Sequence, residues 1–356
     1  ADVRQYLDGA PIDSDFEEPV TLAHLLTHTA GFDDSYLSLL PRRPDDRLSV
    51  ADFLARHPRR VIFRPGTVHA YSNYSSLLAR HVVDVVTGVP YEHYVVDEVL
   101  RPLGMRDSCV LPAPPEWSDR FATGYLPGGD GLESTRDLFP DGLVRFRVPT
   151  GTVASTVVDM ARFMIAHLEG GAFEDRRLLR PETVRMMHAQ QFAQHARVPG
   201  ATYGFFESQG SGRRGIFHFG SGFGYGTLLY LLPEERVGFY VAHSNSDSRI
   251  AEAFLNAFLE RYFTAARPRP VETASAAGLD GDASRLAGYY AQARRPESTF
   301  EKLPFMLMQA RFHAPDDATL SNDQVLPREW RHTGGQVFER PDGEGLVAFD
   351  LDASGR

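Results

Sequence analysis

The chain has 356 residues, 42% of them apolar and 24% charged, with a formal net charge of −10. These are the proportions of a globular protein long enough for a large core or two domains, and the negative balance, with no basic cluster interleaved by aromatics, argues against a nucleic-acid binder. The single cysteine, Cys109, excludes an intrachain disulfide and leaves no basis for a cysteine metal site, and no run of about 18 apolar residues is present to span a membrane.

The first stretch with helical spacing is 21–28, from Thr21 to His28, and Thr29-Ala30-Gly31 closes it. His24 and His28 are four apart, a spacing that shares one helix face. His-Leu-Leu-Thr-His nevertheless lacks the glutamate of a zinc-protease helix, and no third ligand follows, so no metal is expected. Further helices are predicted at 49–57, 74–88, 91–101, 157–169 and 181–190. Arg64-Pro65-Gly66-Thr67 reads as a tight turn that runs into the triplet Tyr71-Ser72-Asn73, and Leu77, Leu78, Val82, Val83 and Val86 then mark a helix face. Pro102-Leu103-Gly104-Met105 follows the 91–101 segment, and Cys109, next to Val110 and Leu111, reads as a packed thiol. Gly151-Thr152 leads to Ser155 or Thr156 as the N-cap of helix 157–169. A glycine-led helix start can also hold an anion, but a structural turn is the expectation.

Strand signals cluster late. Ile216-Phe217-His218-Phe219 is a short strand after the glycine-rich Gly210-Ser211-Gly212, and Thr227–Leu232 and Val237–Ala242 flank a Pro233-Glu234-Glu235-Arg236 hairpin turn. An amphipathic helix with Ile250, Phe254, Leu255, Phe258, Leu259 and Tyr262 on one face follows. The domain reading is a first unit over 1–264, a linker at 265–283 rich in Pro, Ala and Thr, and a small β module over 284–356. In the module, Leu286–Tyr290, Phe305–Met308, Trp330, Val337–Glu339 and Leu346–Phe349 are spaced by turn residues. The fold class is α+β, an antiparallel sheet with helices on its faces and a helical insertion, followed by the all-β module.

Leu25-Leu26-Thr27-His28-Thr29-Ala30-Gly31, the triplet Tyr71-Ser72-Asn73 in its Pro-Gly-Thr turn, Pro102-Leu103-Gly104-Met105 and His218-Phe219-Gly220 together resemble the serine β-lactamase-like family of class C β-lactamases, DD-peptidases and related esterases. The resemblance covers about residues 1–264. It implies a β-lactamase/transpeptidase-like sheet with flanking helices and a helical subdomain, and a lipocalin-like β module behind it. It implies acyl transfer at an ester, amide or β-lactam carbonyl, with Tyr71 moving the proton, Asn73, His218 and Gly220 holding substrate, and the Ser221 N–H donating to the oxyanion. His218 stands where the family's third motif, Lys-Thr-Gly, has its lysine. A mostly neutral imidazole there weakens the case for a substrate carboxylate.

The family's nucleophile pair, Ser-x-x-Lys, is absent. The only lysine is Lys302, and Thr299 stands three residues before it. Ser298 and Lys302 are four apart and are expected on a solvated element of the β module. Ser72, Ser75 and Ser76 crowd Tyr71 without a lysine three residues on, and there is no Gly-x-Ser-x-Gly elbow. The expectation is a fragment cut at both ends, with its nucleophile upstream of Ala1 and no activity alone. The alternative is a non-catalytic binding or regulatory protein on the same fold; a metal-dependent hydrolase, the third class, lacks ligands. No cofactor is expected, and the partner is a small-molecule or peptide substrate. The resemblance also implies an extracytoplasmic place in a bacterium and leaves membrane anchoring of the whole protein open. One lysine beside 36 arginines fits a GC-rich genome.

Overall fold

The computed structural model describes residues 1–7, 12–41, 46–111, 113–129, 131–138, 148, 153–209, 212–247, 249–263, 283–322, 328–334, 336–341 and 346–349. The chain opens on a helical layer: α1 (Leu22–Leu26), α2 (Val50–Arg56), α3 (Asn73–Thr87) and α4 (Tyr91–Val95), the last continued by a π turn over Val96–Leu100. Helix α1 is held at its start by a capping box, in which Thr21 accepts from the His24 N–H and the His24 ring accepts from the Thr21 N–H. It stops at Leu26, short of the predicted 28, because His28 takes a left-handed φ of 54°. Ser72 caps α3 and Gly88, at φ 70°, closes it. Tyr74, Leu77 and Leu78 on the inner face of α3 pack with Leu25, Phe32, Phe53 and Val3 into the first core.

The central sheet is antiparallel. Its strands β1 (Phe206–Ser208), β2 (Gly215–Gly222), β3 (Tyr225–Leu232) and β4 (Val237–His243) lie in the order β4-β3-β2-β1. The continuous apolar run in β3 follows from burial on both faces. Leu228, Tyr230 and Leu232 meet Ala251, Leu255 and Leu259 of α7 (Arg249–Tyr262). Leu229 and Leu231 face Met164 of α5 (Val157–Leu168), whose N-cap is Thr156. Helix α6 (Pro181–His188) comes between α5 and β1 in the chain. His167 of α5 and His188 of α6 stack, both buried, with 3.0 Å between Nδ1 and Nε2. Cys109 sits buried in a two-residue strand paired with Val153–Ala154, and burial pushes its thiol up, as suits a packing role.

Six strands, β5 (Gly288–Tyr290), β6 (Ala310–Asp316), β7 (Thr319–Asn322), β8 (Arg328–Gly334), β9 (Val337–Glu339) and β10 (Leu346–Ala348), form a second antiparallel sheet in sequence order. Its core gathers Ala283, Leu286, Leu320, Trp330, Phe338 and Phe349. Phe305–Met308, read above as part of the β pattern, instead belongs to α8 (Lys302–Leu307) and the residue after it. The run of apolar residues misleads because Met306, Leu307 and Met308 are exposed, and no strand neighbour demands them. Residues 265–282 of the predicted linker, Gly210 and Ser211, and Gly151 and Thr152 lie outside the described residues. No helix among the described residues is long and apolar enough to cross a membrane.

Candidate active site

Two loops braid together to place Tyr71. The His28 carbonyl accepts from the Ala70 N–H at 2.8 Å, and the Thr29 carbonyl accepts from the Gly66 N–H at 2.8 Å. The Gly31 carbonyl takes the N–H groups of Ile62 and Phe63. Gly31 is obligatory there: at φ 78° an added Cβ would stand 2.1 Å from the Phe63 carbonyl oxygen. The ring of His28 finishes the joint, its Nδ1 accepting from the Ser72 N–H at 3.2 Å. Leu-Leu-Thr-His-Thr-Ala-Gly is thus the mould in which Tyr71-Ser72-Asn73 sets.

His24 and His28 do not share a helix face, because the helix has ended before His28; each ring spends its Nδ1 on a backbone N–H. Among the described residues no group of three His, Cys, Asp or Glu side chains is placed to hold a metal ion. Ser72 and Ser75 are buried, and the Ser72 hydroxyl is engaged as the α3 cap.

Tyr71 lies in an aromatic cluster drawn from three parts of the chain. Its ring centroid is 4.3 Å from that of His28, 6.2 Å from His218 and 6.3 Å from Phe206, and Phe206 stacks on His218 at 5.4 Å. Burial pushes the His28 imidazole down to about 3, with His69, His218 and Arg294 adding to the effect, so the ring is neutral at pH 7. Burial also lowers His218, against the Nδ1–H bond it donates to the Phe219 carbonyl. The Tyr71 phenol is raised by burial; Arg294 opposes that shift and Asp34 adds to it.

Of the residues singled out in the sequence, Tyr71 and His218 meet in this cluster, and Asn73, two residues on from Tyr71, stands half-buried as the first residue of α3. Strand β1 pairs with β2 only at Gly215–Phe217. Beyond it, His218, Gly220 and Ser221 therefore lie along a stretch of β2 that, among the described residues, has no strand neighbour on that edge. Ser221 is exposed, opposite Gly226. Gly220 has a packing reason of its own, because an added Cβ would come 2.6 Å from Thr227 Oγ1 on β3.

Sequence reasoning missed four charged residues, two of which, Arg294 and Asp34, act on Tyr71. Asp33, Asp34 and Glu301 are buried, and Arg294 of the β module reaches Tyr71, its guanidinium carbon 4.8 Å from the ring centroid. Asp33 accepts from the N–H groups of Glu297, at 2.7 Å, and Ser298, and from the Ser298 hydroxyl. Glu301 accepts from the Ser35 hydroxyl and from the N–H groups of Tyr36 and Leu37. Ser298 and Lys302 are exposed, as expected of a solvated element, but the Ser298 N–H and hydroxyl are engaged by Asp33 of the first unit. The only signal was a pair of acids after Gly31-Phe32, with nothing around them to mark their burial. A concavity of about 410 Å³ opens at the same contact, between Arg60, Ile62, Arg295 and Glu297; neither Tyr71 nor His218 lines it.

The described geometry has known counterparts. The family model Beta-lactamase matches residues 1–265. A human protein, "Putative beta-lactamase-like 1", is 27% identical over 296 residues, covering 78% of this chain and 54% of the relative. The D-alanyl-D-alanine-carboxypeptidase/endopeptidase AmpH of Escherichia coli K12 is 25% identical over 256 residues, 67% of this chain and 62% of the relative. The chain thus spans less than two thirds of the length of either. The octameric penicillin-binding protein homologue of Pyrococcus abyssi superposes with a TM-score of 0.58 at 19% identity, over 100% of this chain and 76% of that one, so the likeness extends through the C-terminal sheet. With its motif loops, its sheet and the match over most of its length, the chain belongs to the beta-lactamase family, whose members are penicillin-binding-protein-like serine hydrolases.

Proposed function

We propose that these residues are the base-bearing part of an acyl-transfer site acting on an ester, amide or β-lactam carbonyl. One observation carries the reading: Tyr71 faces His218 across the open-edged end of β2, where an extended substrate has room to pair. Tyr71 accepts the nucleophile's proton and returns it to the leaving group. Asn73 holds the substrate amide with its carboxamide, His218 and Gly220 border the acyl chain, and the Ser221 N–H donates to the oxyanion. The relatives' names, which include a carboxypeptidase and a penicillin-binding protein homologue, favour a small molecule or peptide as substrate. The proposal extends to an extracytoplasmic setting in a bacterium.

No Ser-x-x-Lys stands among the 356 residues, and on this reading the nucleophile is a serine outside them. The 356-residue polypeptide is therefore expected to turn over neither nitrocefin nor p-nitrophenyl esters. In the natural protein, a serine-reactive fluorophosphonate should label one serine, with loss of fluoride, and Tyr71→Phe should slow that phosphonylation by about 10²- to 10⁴-fold. Labelling unaffected by Tyr71→Phe would remove Tyr71 from the mechanism. A natural protein that binds penicillin without becoming labelled would instead support the second reading, a binding protein on an enzyme's fold, which the missing pair favours.

A further inference from the structure

The stretch between β5 and β6 is not a simple hairpin connection. It leaves the C-terminal sheet at Tyr290 and returns at Ala310, and between them it lies against residues 33–37 of the first domain. Buried carboxylates pin it reciprocally. Asp33 receives the backbone of Glu297 and Ser298, and Glu301, sent from the strap, receives the backbone of Tyr36 and Leu37. Carboxylates that accept backbone N–H groups out of water make strong, directional contacts. A segment fixed at two such points has little freedom in where it sets its side chains.

Arg294 is the side chain so placed. Its Nε donates to Asp34 Oδ2 at 2.7 Å, and its guanidinium lies over two rings, 4.6 Å from the centroid of Tyr36 and 4.8 Å from that of Tyr71. Asp34 is buried and Arg294 largely so. We propose that Arg294 is a positioning residue for Tyr71: the β module reaches into the first domain to cap the phenol's face with a permanent positive charge, which orients the ring and favours the phenolate form. The charged and titratable groups around the phenol are Arg294, Asp34 and the Tyr36 phenol on one side and the imidazoles of His28 and His218 on the others. Both imidazoles are held neutral by burial. Among the described residues Arg294 is then the lasting cation at the phenol, and Asp34 aims it while offsetting part of its charge. A guanidinium suits the task because it stacks flat on a ring and cannot lose its proton.

The idea rests on Tyr71 being the base, but its test does not need turnover. The 356-residue chain labelled with [13Cζ]tyrosine is titrated by NMR, with Tyr71→Phe assigning the resonance. Arg294→Ala should move the Tyr71 midpoint to higher pH, Arg294→Lys should move it less, and Asp34→Asn should move it down. A midpoint unmoved by Arg294→Ala overturns the proposal, as does one that Arg294→Lys shifts as far as Arg294→Ala does. Glu301→Gln, which loosens the strap without touching Arg294, should shift the midpoint in the same direction as Arg294→Ala, so the conclusion does not hang on one variant. A confirmed shift in a protein that never acylates sinks the proposed function alone; acylation through Tyr71 with no shift sinks the positioning role alone.

Discussion

His28→Asn separates what the motif loop does for the fold from what its ring does with protons. His28 holds φ at 54° and uses Nδ1 to accept the Ser72 N–H. Asparagine tolerates the left-handed region better than most residues, and its Oδ1 sits where Nδ1 sat. The substitution keeps the joint and removes the titration. The folded imidazole is pushed down to about 3 from 6.5, so the unfolded chain takes up its proton first as pH falls. Stability is therefore intact above 6.5 and is lost progressively from there toward about 3. Each pH unit inside that window costs about 1.4 kcal/mol, so going from pH 7 to pH 5 removes about 2 kcal/mol that the asparagine variant keeps. At pH 7 the variant should be less stable by about 1–2 kcal/mol, because the smaller side chain no longer fills the space beside Tyr71 and Phe206. Urea unfolding followed by far-UV circular dichroism at pH 7, 6 and 5 reads both effects. The gap between the two proteins should close, and at pH 5 vanish or reverse. His69 and His218 are present in both and cancel. A gap constant with pH would refute the claim that His28 is folded as a neutral acceptor.

The stacked pair His167 and His188 is also held neutral, each pushed down to about 4 by burial. Its stabilisation too is complete above 6.5 and is lost as pH falls toward about 4, so His188→Phe should flatten the pH dependence of unfolding by up to about 1.4 kcal/mol per unit; an unchanged slope would mean the pair is already protonated in the fold. Gly220→Ala forces a Cβ against Thr227 Oγ1 and should cost about 1–3 kcal/mol in the same unfolding assay. Adding Thr227→Ala should recover most of that cost, and a failed rescue would point to a backbone requirement at Gly220.

Much of the fold was legible because each element obeys a local rule. The 3.6-residue spacing of Leu77, Leu78 and Val82 required α3, and Pro233–Arg236 between two apolar runs required the β3–β4 hairpin. The motif loops were legible for the same reason: His28, Gly31 and Gly66 occupy unusual backbone regions that few sequences satisfy. Where the period failed, the cause was tertiary. Phe305–Met308 has the composition of a strand, but it follows the pinned Glu301, and the chain turns into a helix rather than joining the sheet.

The site was only half legible, and the missing half is long-range. Composition records that Asp33 and Asp34 are acidic, but not that they are buried, and an unpaired buried carboxylate would be too costly to keep. Two adjacent acids buried at the edge of the motif loop therefore demand donors from somewhere. Here the donors come from beyond residue 283: Glu297 and Ser298 for Asp33, and Arg294 for Asp34. The same demand explains why a sequence whose third motif exchanges lysine for histidine still has a permanent cation against Tyr71. The charge is delivered by the β module: among the described side chains around Tyr71 the two imidazoles are neutral and Arg294 is the lasting cation.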